Sequence, residues 1–154
     1  MKILILGIGN PICCDDAAGI EAARQLKQKI IGDNIDIEEI TSAGMNLLDA
    51  IIGYDKVIII DSIQTEAGKV GEVYRFTKDE IDERRPARFS HNGGILLMLS
   101  WGKEMKLKLP TDMIFYAIEI EKGDEFGEEF TPQVKAAIPR LVSQIEKEIS
   151  MFYN

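Results

Sequence analysis

The chain has 154 residues, a formal net charge of −8, and 45% hydrophobic against 29% charged residues. That is one domain's worth of chain with a globular balance. Its acidity disfavours nucleic acid and anionic membranes as partners, because neither attracts a negative surface, and it permits metal cations and basic peptide segments. No run approaches the roughly 18 uninterrupted apolar residues that a membrane helix needs. The two cysteines, Cys13 and Cys14, are adjacent and cannot staple distant elements. A cytoplasmic protein without a disulfide framework is the expectation.

Met1 to Gly7 is apolar but short, and it runs into Gly-Ile-Gly-Asn-Pro without a small-residue cleavage site. It therefore reads as a buried strand over Ile3–Leu6 and not as a signal peptide. Ala18, Ile20, Ala22, Ala23, Leu26 and Ile30 suit a helix from Asp16 to about Lys29, with Asp15 and Asp16 enriching its N-terminus in acid. Ile35, Ile37 and Ile40 punctuate a second strand, and a short helix follows over Asn46–Ile52. The β-branched run Val57–Ile60 is too dense for an edge strand and reads as central and parallel.

Glu72–Phe76 alternates as a strand with one exposed face would, antiparallel at the edge. Lys78–Arg88 is highly charged and reads as a solvated loop or short helix. Ile95–Met98 with Trp101 predicts an amphipathic helix, and Met113–Ile120 a further strand. Pro132 opens the last helix at a favoured first-turn position. Its stripe is Val134, Ala137, Ile138, Leu141, Ile145, Ile149 and Phe152, and Pro139 inside it predicts a kink or an interrupted first turn. Strands alternating with helices imply a single α/β domain over 1–154. The expected architecture is a three-layer α/β/α sandwich, with a mostly parallel central sheet of about five strands and helices on both faces.

In such sheets ligands bind outside the carboxyl ends of the strands, which selects the polar residues that matter. Asp15 and Asp16 close the loop after the first strand, Asp61 ends the Val57–Ile60 strand, and His91 precedes a helix starting near Gly93. A carboxylate at the end of an all-apolar strand is costly unless it meets a metal, a cation or backbone donors. The alternative for Asp61 is a plain turn cap, paired by Ser62 and nearby amides. His91 is the only histidine, so any imidazole chemistry uses it. A lone histidine is ordinarily structural or superficial, but the glycine-containing turn Phe89–Gly94 can aim a side chain into a cleft.

Gly7-x-Gly9 invites a dinucleotide reading, but the G-x-G-x-x-G fingerprint needs glycine where Ile12 stands. Pro11 lacks a donor for a phosphate cradle, and the acidic pair repels pyrophosphate. Cys13 and Cys14 could be soft metal ligands, though small semi-buried loop residues are the plainer reading. Glu121, at the end of the Met113–Ile120 strand, is a candidate supporting acid. Asp124 and Glu125 belong to an acidic run to Glu129 that reads as a solvated face.

The segment Gly7-Ile8-Gly9-Asn10, four residues, Asp15-Asp16-Ala17-Ala18-Gly19 resembles the N-terminal signature of the hydrogenase maturation proteases. Ser42–Leu48, Val57–Ser62, Gly71–Phe76, Ser90-His91 and Phe130–Val134 are similar to that family's later blocks, in the same order along nearly the whole chain. Ala17, Ile40-Thr41 and Asn92 depart from the family pattern without removing a ligand.

The resemblance implies an endopeptidase that removes a C-terminal extension from a nickel-loaded nickel–iron hydrogenase large-subunit precursor. It implies that Asp16, Asp61 and His91 form a metal and catalytic site recognising nickel, which the substrate carries. Zinc or cadmium could occupy the same ligands. The implied protein is a monomer whose partner is that precursor. Carboxylates plus imidazole suit such borderline cations, and an incomplete shell leaves room for a substrate ligand. The site could polarise a peptide carbonyl or water, or serve only as a recognition clamp. A non-catalytic metal-binding accessory module for hydrogenase assembly is the alternative.

Overall fold

A computed structural model describes residues 1–41, 45–83, 88–89, 95–121 and 126–153. The first strand, β1, covers Ile3–Ile8 and is followed by a 3-10 turn at Cys14–Ala17 and helix α1 at Ala18–Lys29. Then come β2 (Ile35–Ile40), α2 (Met45–Ile51), β3 (Lys56–Gln64), β4 (Val73–Thr77), α3 (Lys78–Glu83) and β5 (Arg88–Phe89). Helix α4 (Ile95–Glu104), strand β6 (Asp112–Glu119) and helix α5 (Pro132–Phe152) complete the described elements. The sheet order is β2-β1-β3-β6-β4, with β5 added beside β3. β4 runs antiparallel to β6 at the edge, whereas β1, β2, β3 and β6 pair in parallel, as the apolar runs predict.

Alternation along the buried strands divides the core in two. Val57, Ile59 and Ile63 of β3 face the side covered by Leu47, Leu48 and Ile51 of α2 and Met98 and Leu99 of α4. Ile58 and Ile60 face the opposite side, against Ala18, Ala22 and Leu26 of α1 and the stripe of α5. A strand buried on both faces needs continuous apolar sequence, which explains the Val57–Ile60 run.

The structure departs from the sequence-based expectations at several points. β3 does not end before Asp61 but continues to Gln64, so Asp61 lies inside the strand. Asp16 sits in a 3-10 turn that precedes α1, not in the α-helix itself. α5 runs unbroken through Pro139, whose ring faces solvent, so its first turn is not interrupted. Trp101 of α4 is 45% exposed and lies off the buried stripe. Among the described residues, no helix is long and apolar enough to cross a membrane.

Glu148 of α5 is a buried acid within that helix's apolar stripe. Its carboxylate accepts from Arg75 Nε at 2.8 Å and Arg75 Nη2 at 2.9 Å, and from the Tyr116 hydroxyl at 2.9 Å. The Arg75 guanidinium holds the Glu148 carboxyl below its ordinary value, and burial pushes the Tyr116 phenol up. A lowered folded-state value means that this stabilisation is complete above the unfolded carboxyl's pKa and is lost as pH falls through the folded one. Glu148→Gln should therefore cost about 2 kcal/mol at neutral pH. The gap in melting temperature from wild type should narrow as pH falls below the ordinary glutamate value of about 4.3. Thermal unfolding at constant ionic strength checks this, and a gap that does not change with pH would remove the ion pair as its cause.

Candidate active site

β1 leads to β2 on one side, and the chain then returns to place β3 on β1's other side. The strand order thus reverses between β1 and β3, where open α/β sheets form a crevice at the carboxyl ends. β1 stops pairing with β3 at Gly7–Ile60, whereas β3 continues beside β6 as far as Ile63. Asp61 and Ser62 therefore lie just past the last β1 pairing, below the loop that leaves β1.

That loop is tightly built. Asn10-Pro11-Ile12-Cys13 closes a turn with the Cys13 N–H donating to the Asn10 carbonyl at 3.1 Å, and Pro11 supplies the fixed φ of its second position. The Asn10 side chain also accepts from the Ile12 N–H at 3.2 Å. Gly127 locks the loop from the segment after β6. Its N–H donates to the Ile12 carbonyl at 2.8 Å, and its own carbonyl accepts from the Cys14 N–H at 3.0 Å. Cys14 has a φ of 43°, a left-handed conformation that turns the chain into the 3-10 segment. Cys13 is buried and Cys14 half-buried, the plain loop reading of the pair.

The neighbouring acids diverge from this turn. Asp15 takes the Thr131 N–H and hydroxyl on its two oxygens, both at 2.8 Å, and so ties the loop to the N-cap of α5. Asp16 turns to the sheet, where its Oδ1 accepts from the Ser62 hydroxyl at 3.0 Å. Asp61 Oδ1 accepts from the Ser62 N–H at 2.7 Å. Asp16 is 3% exposed, Asp61 1% and Ser62 fully buried. Ser62 thus connects the two candidate carboxylates, one through its side chain and one through its backbone. In sequence Ser62 marks only a candidate partner of Asp61 at a turn, and its hydroxyl bond to Asp16 shows only in the fold.

The glycines of the loop prove to be packing devices. A Cβ on Gly9 would come within 2.5 Å of the Asp16 carbonyl, and one on Gly7 within 2.4 Å of the Gly19 carbonyl. A Cβ on Gly19 would meet the carbonyls of both Ile8 and Ile60 at 2.4 Å. Only bare backbone lets the 3-10 turn and α1 sit this low on the strand ends.

His91 lies outside the described residues, as do Asp124 and Glu125. Glu121 is exposed, and it is its backbone carbonyl that accepts from Gln64 Nε2, at 3.4 Å. Glu128 and Glu129 are solvent-facing, as the acidic run predicts. Glu119, which the sequence reading passed over, is 2% exposed and takes the Thr65 N–H at 3.0 Å and the Thr65 hydroxyl, fixing the turn after β3. Among the described residues, no three His, Cys, Asp or Glu side chains are close enough to hold a metal. The donors that these residues bring toward Ser62 are two carboxylates, Asp16 and Asp61.

Residues 20–148 match the sequence model of the hydrogenase maturation proteases. The chain is 33% identical to the hydrogenase 2 maturation protease of Escherichia coli K12, covering 94% of this chain and 88% of that protein. The hydrogenase maturating endopeptidase HybD from E. coli superposes with a TM-score of 0.85 at 26% identity, over 98% of this chain and 93% of that one. The nickel–iron hydrogenase maturation protease HybD from Thermococcus kodakarensis gives a TM-score of 0.76 at 30% identity, over 96% and 98%. On both sequence and fold, the chain belongs to the hydrogenase maturation protease family and is a protein-cleaving hydrolase.

Proposed function

We propose that this protease removes the C-terminal extension of a nickel–iron hydrogenase large-subunit precursor after nickel insertion. In this reading Asp16, Asp61 and His91 receive the nickel that the client carries. The observation that supports it is that Ser62 bonds both acids, Asp16 through its hydroxyl and Asp61 through its N–H, although they are 45 residues apart in sequence. The position of β5 supports the third ligand. Phe89 pairs with Ile63, two residues beyond Asp61, and His91 follows Phe89 by two residues.

Two carboxylates and an imidazole leave coordination positions open for ligands that the client brings. Recognition of a metal seated in the client makes cleavage conditional on nickel insertion, because binding then draws on a group that the unloaded precursor lacks. Zinc or cadmium would suit the same oxygen and nitrogen donors.

The test is incubation of the protein with nickel-loaded and with nickel-free uncleaved precursor, followed by mass spectrometry. Release of a C-terminal peptide from the loaded precursor alone is the expected result. A stable complex with no bond cleaved would replace this reading with that of an accessory binding module.

A further inference from the structure

The outer side of the same loop forms a second feature. An open groove of about 380 Å³ lies over the first turns of α1, walled by the loop after β1 and by residues 128–130. Ala17, the residue after Asp16, lines it, so the groove and the crevice share the 3-10 turn as a wall. Its apolar surface is unusually open. Ile12 is 54% exposed, and Phe126, next to the Gly127 that bonds Ile12, is 81% exposed, while Phe130 forms part of the lining. Adjacent exposed apolar side chains at the margin of a groove mark a surface that another molecule covers.

The charge of the groove says what covers it. Glu21 and Glu128 both line it, and among the described residues neither has a cation partner. Glu21 accepts only from the neutral Gln25 amide, at 3.2 Å. Arg24, the single basic residue of the lining, is engaged by Glu39, with Nε 3.2 Å from both carboxylate oxygens. An open groove whose lining is mainly polar, with two carboxylates that no described cation meets and a few apolar side chains, suits a flexible polypeptide that carries a basic side chain beside an apolar one. Its shared wall at Ala17 leads to the 3-10 turn that carries Asp16.

We infer that the groove binds a segment of the client polypeptide near the scissile bond, an apolar side chain against Phe130 and a lysine or arginine between Glu21 and Glu128. The inference rests on the proteolytic reading above and adds the chemistry by which the client's chain is held. Such contacts bind the client without touching the reacting bond, so they act on KM and not on kcat.

The experiment measures processing of nickel-loaded precursor by wild type, by Glu21→Gln/Glu128→Gln and by Glu21→Lys/Glu128→Lys. Asp33→Lys, a charge reversal in the turn before β2 at the far end of the sheet, serves as control. Reversal should raise KM about tenfold, and neutralisation less, with both effects shrinking as salt is added. A client in which one lysine or arginine near the cleaved bond is replaced by glutamate should process better with the reversed enzyme than with wild type. Unchanged KM in the reversed enzyme, or an increase equal to that of Asp33→Lys, overturns the groove while leaving the protease reading intact. Failure of wild type to cleave any loaded precursor overturns the protease reading and this inference with it.

Discussion

Asp61→Asn should lower the initial rate of processing of nickel-loaded precursor about a hundredfold or more. Melting temperature should hold or rise. Asparagine keeps the size of the side chain and an oxygen able to accept the Ser62 N–H, now at 2.7 Å, while it removes the charge. Burying a neutral amide costs less than burying a carboxylate, which sets the direction of the stability change. Asp16→Asn should be impaired in the same way, since its carboxylate shares Ser62 with Asp61. His91→Ala should slow the processing of loaded precursor while the protein stays folded.

Asp15 is the internal control for this series. Both its oxygens bind Thr131 on the side of α5, away from β3. Asp15→Asn should therefore cost stability before it costs rate. Initial rates and melting temperatures of the four variants, measured together, decide the matter. A crippled Asp15→Asn beside a nearly normal Asp16→Asn would move the ligand assignment by one residue, and four unchanged rates would end the metal-site reading.

Gly19→Ala should destabilise the protein by about 3 kcal/mol or more, lowering the melting temperature by roughly 6–12 °C. Two effects of opposite sign compete. Helix propensity favours alanine over glycine inside α1 by about 1 kcal/mol. Packing opposes it, because the new methyl would sit 2.4 Å from the carbonyl oxygens of Ile8 and Ile60, which are backbone and cannot step aside. Overpacking against backbone outweighs propensity, so α1 must lift from the sheet and carry the 3-10 turn with it.

Gly102→Ala in α4 supplies the contrast. Its Cβ would meet the methyl ends of Leu109 and Leu48 at 3.0 Å, groups that can rotate away. That variant should melt within a few degrees of wild type. A Gly19→Ala protein at least as stable as wild type would refute the close-approach account of the glycine motif.

The parts of the fold that the sequence reveals are those written in local pattern. Val57–Ile60 announces a strand covered on both faces, the alternation of Glu72–Phe76 announces the edge, and Val134 to Ile149 marks the buried side of α5. What escapes are features decided by distant partners. Ser62-Ile63-Gln64 reads as a turn because serine and glutamine break the apolar run, yet pairing with β6 continues to Ile63. β5 is two residues long, too short for any period to register.

Glu148 looks like a solvent-facing acid until Arg75, 73 positions away, is found beside it. For the candidate site, the motif glycines and the acidic pair single out the loop whose Asp16 reaches Ser62 of β3. Which acid turns to the sheet and which to α5 is fixed by Ser62 and Thr131, and neither contact leaves a local trace in the sequence.

The strand order also dictates when this protein can come into being. β1 is flanked by β2 and β3, and β3 by β6, so Ile3 must find Ile35 and Lys56, and Lys56 must find Asp112. Each of these contacts closes a loop of tens of residues before it returns any stabilisation, and parallel pairings of this kind form slowly. While the chain emerges from the ribosome, α1 can coil early but has no floor to rest on. Asp16 is synthesised long before Ser62, and the crevice has no second wall until β3 has been made and has docked beside β1. A nascent fragment that stops short of β3 therefore carries the acidic pair of the loop as an ordinary solvated turn, and the carboxylate pair appears only once the sheet closes around it.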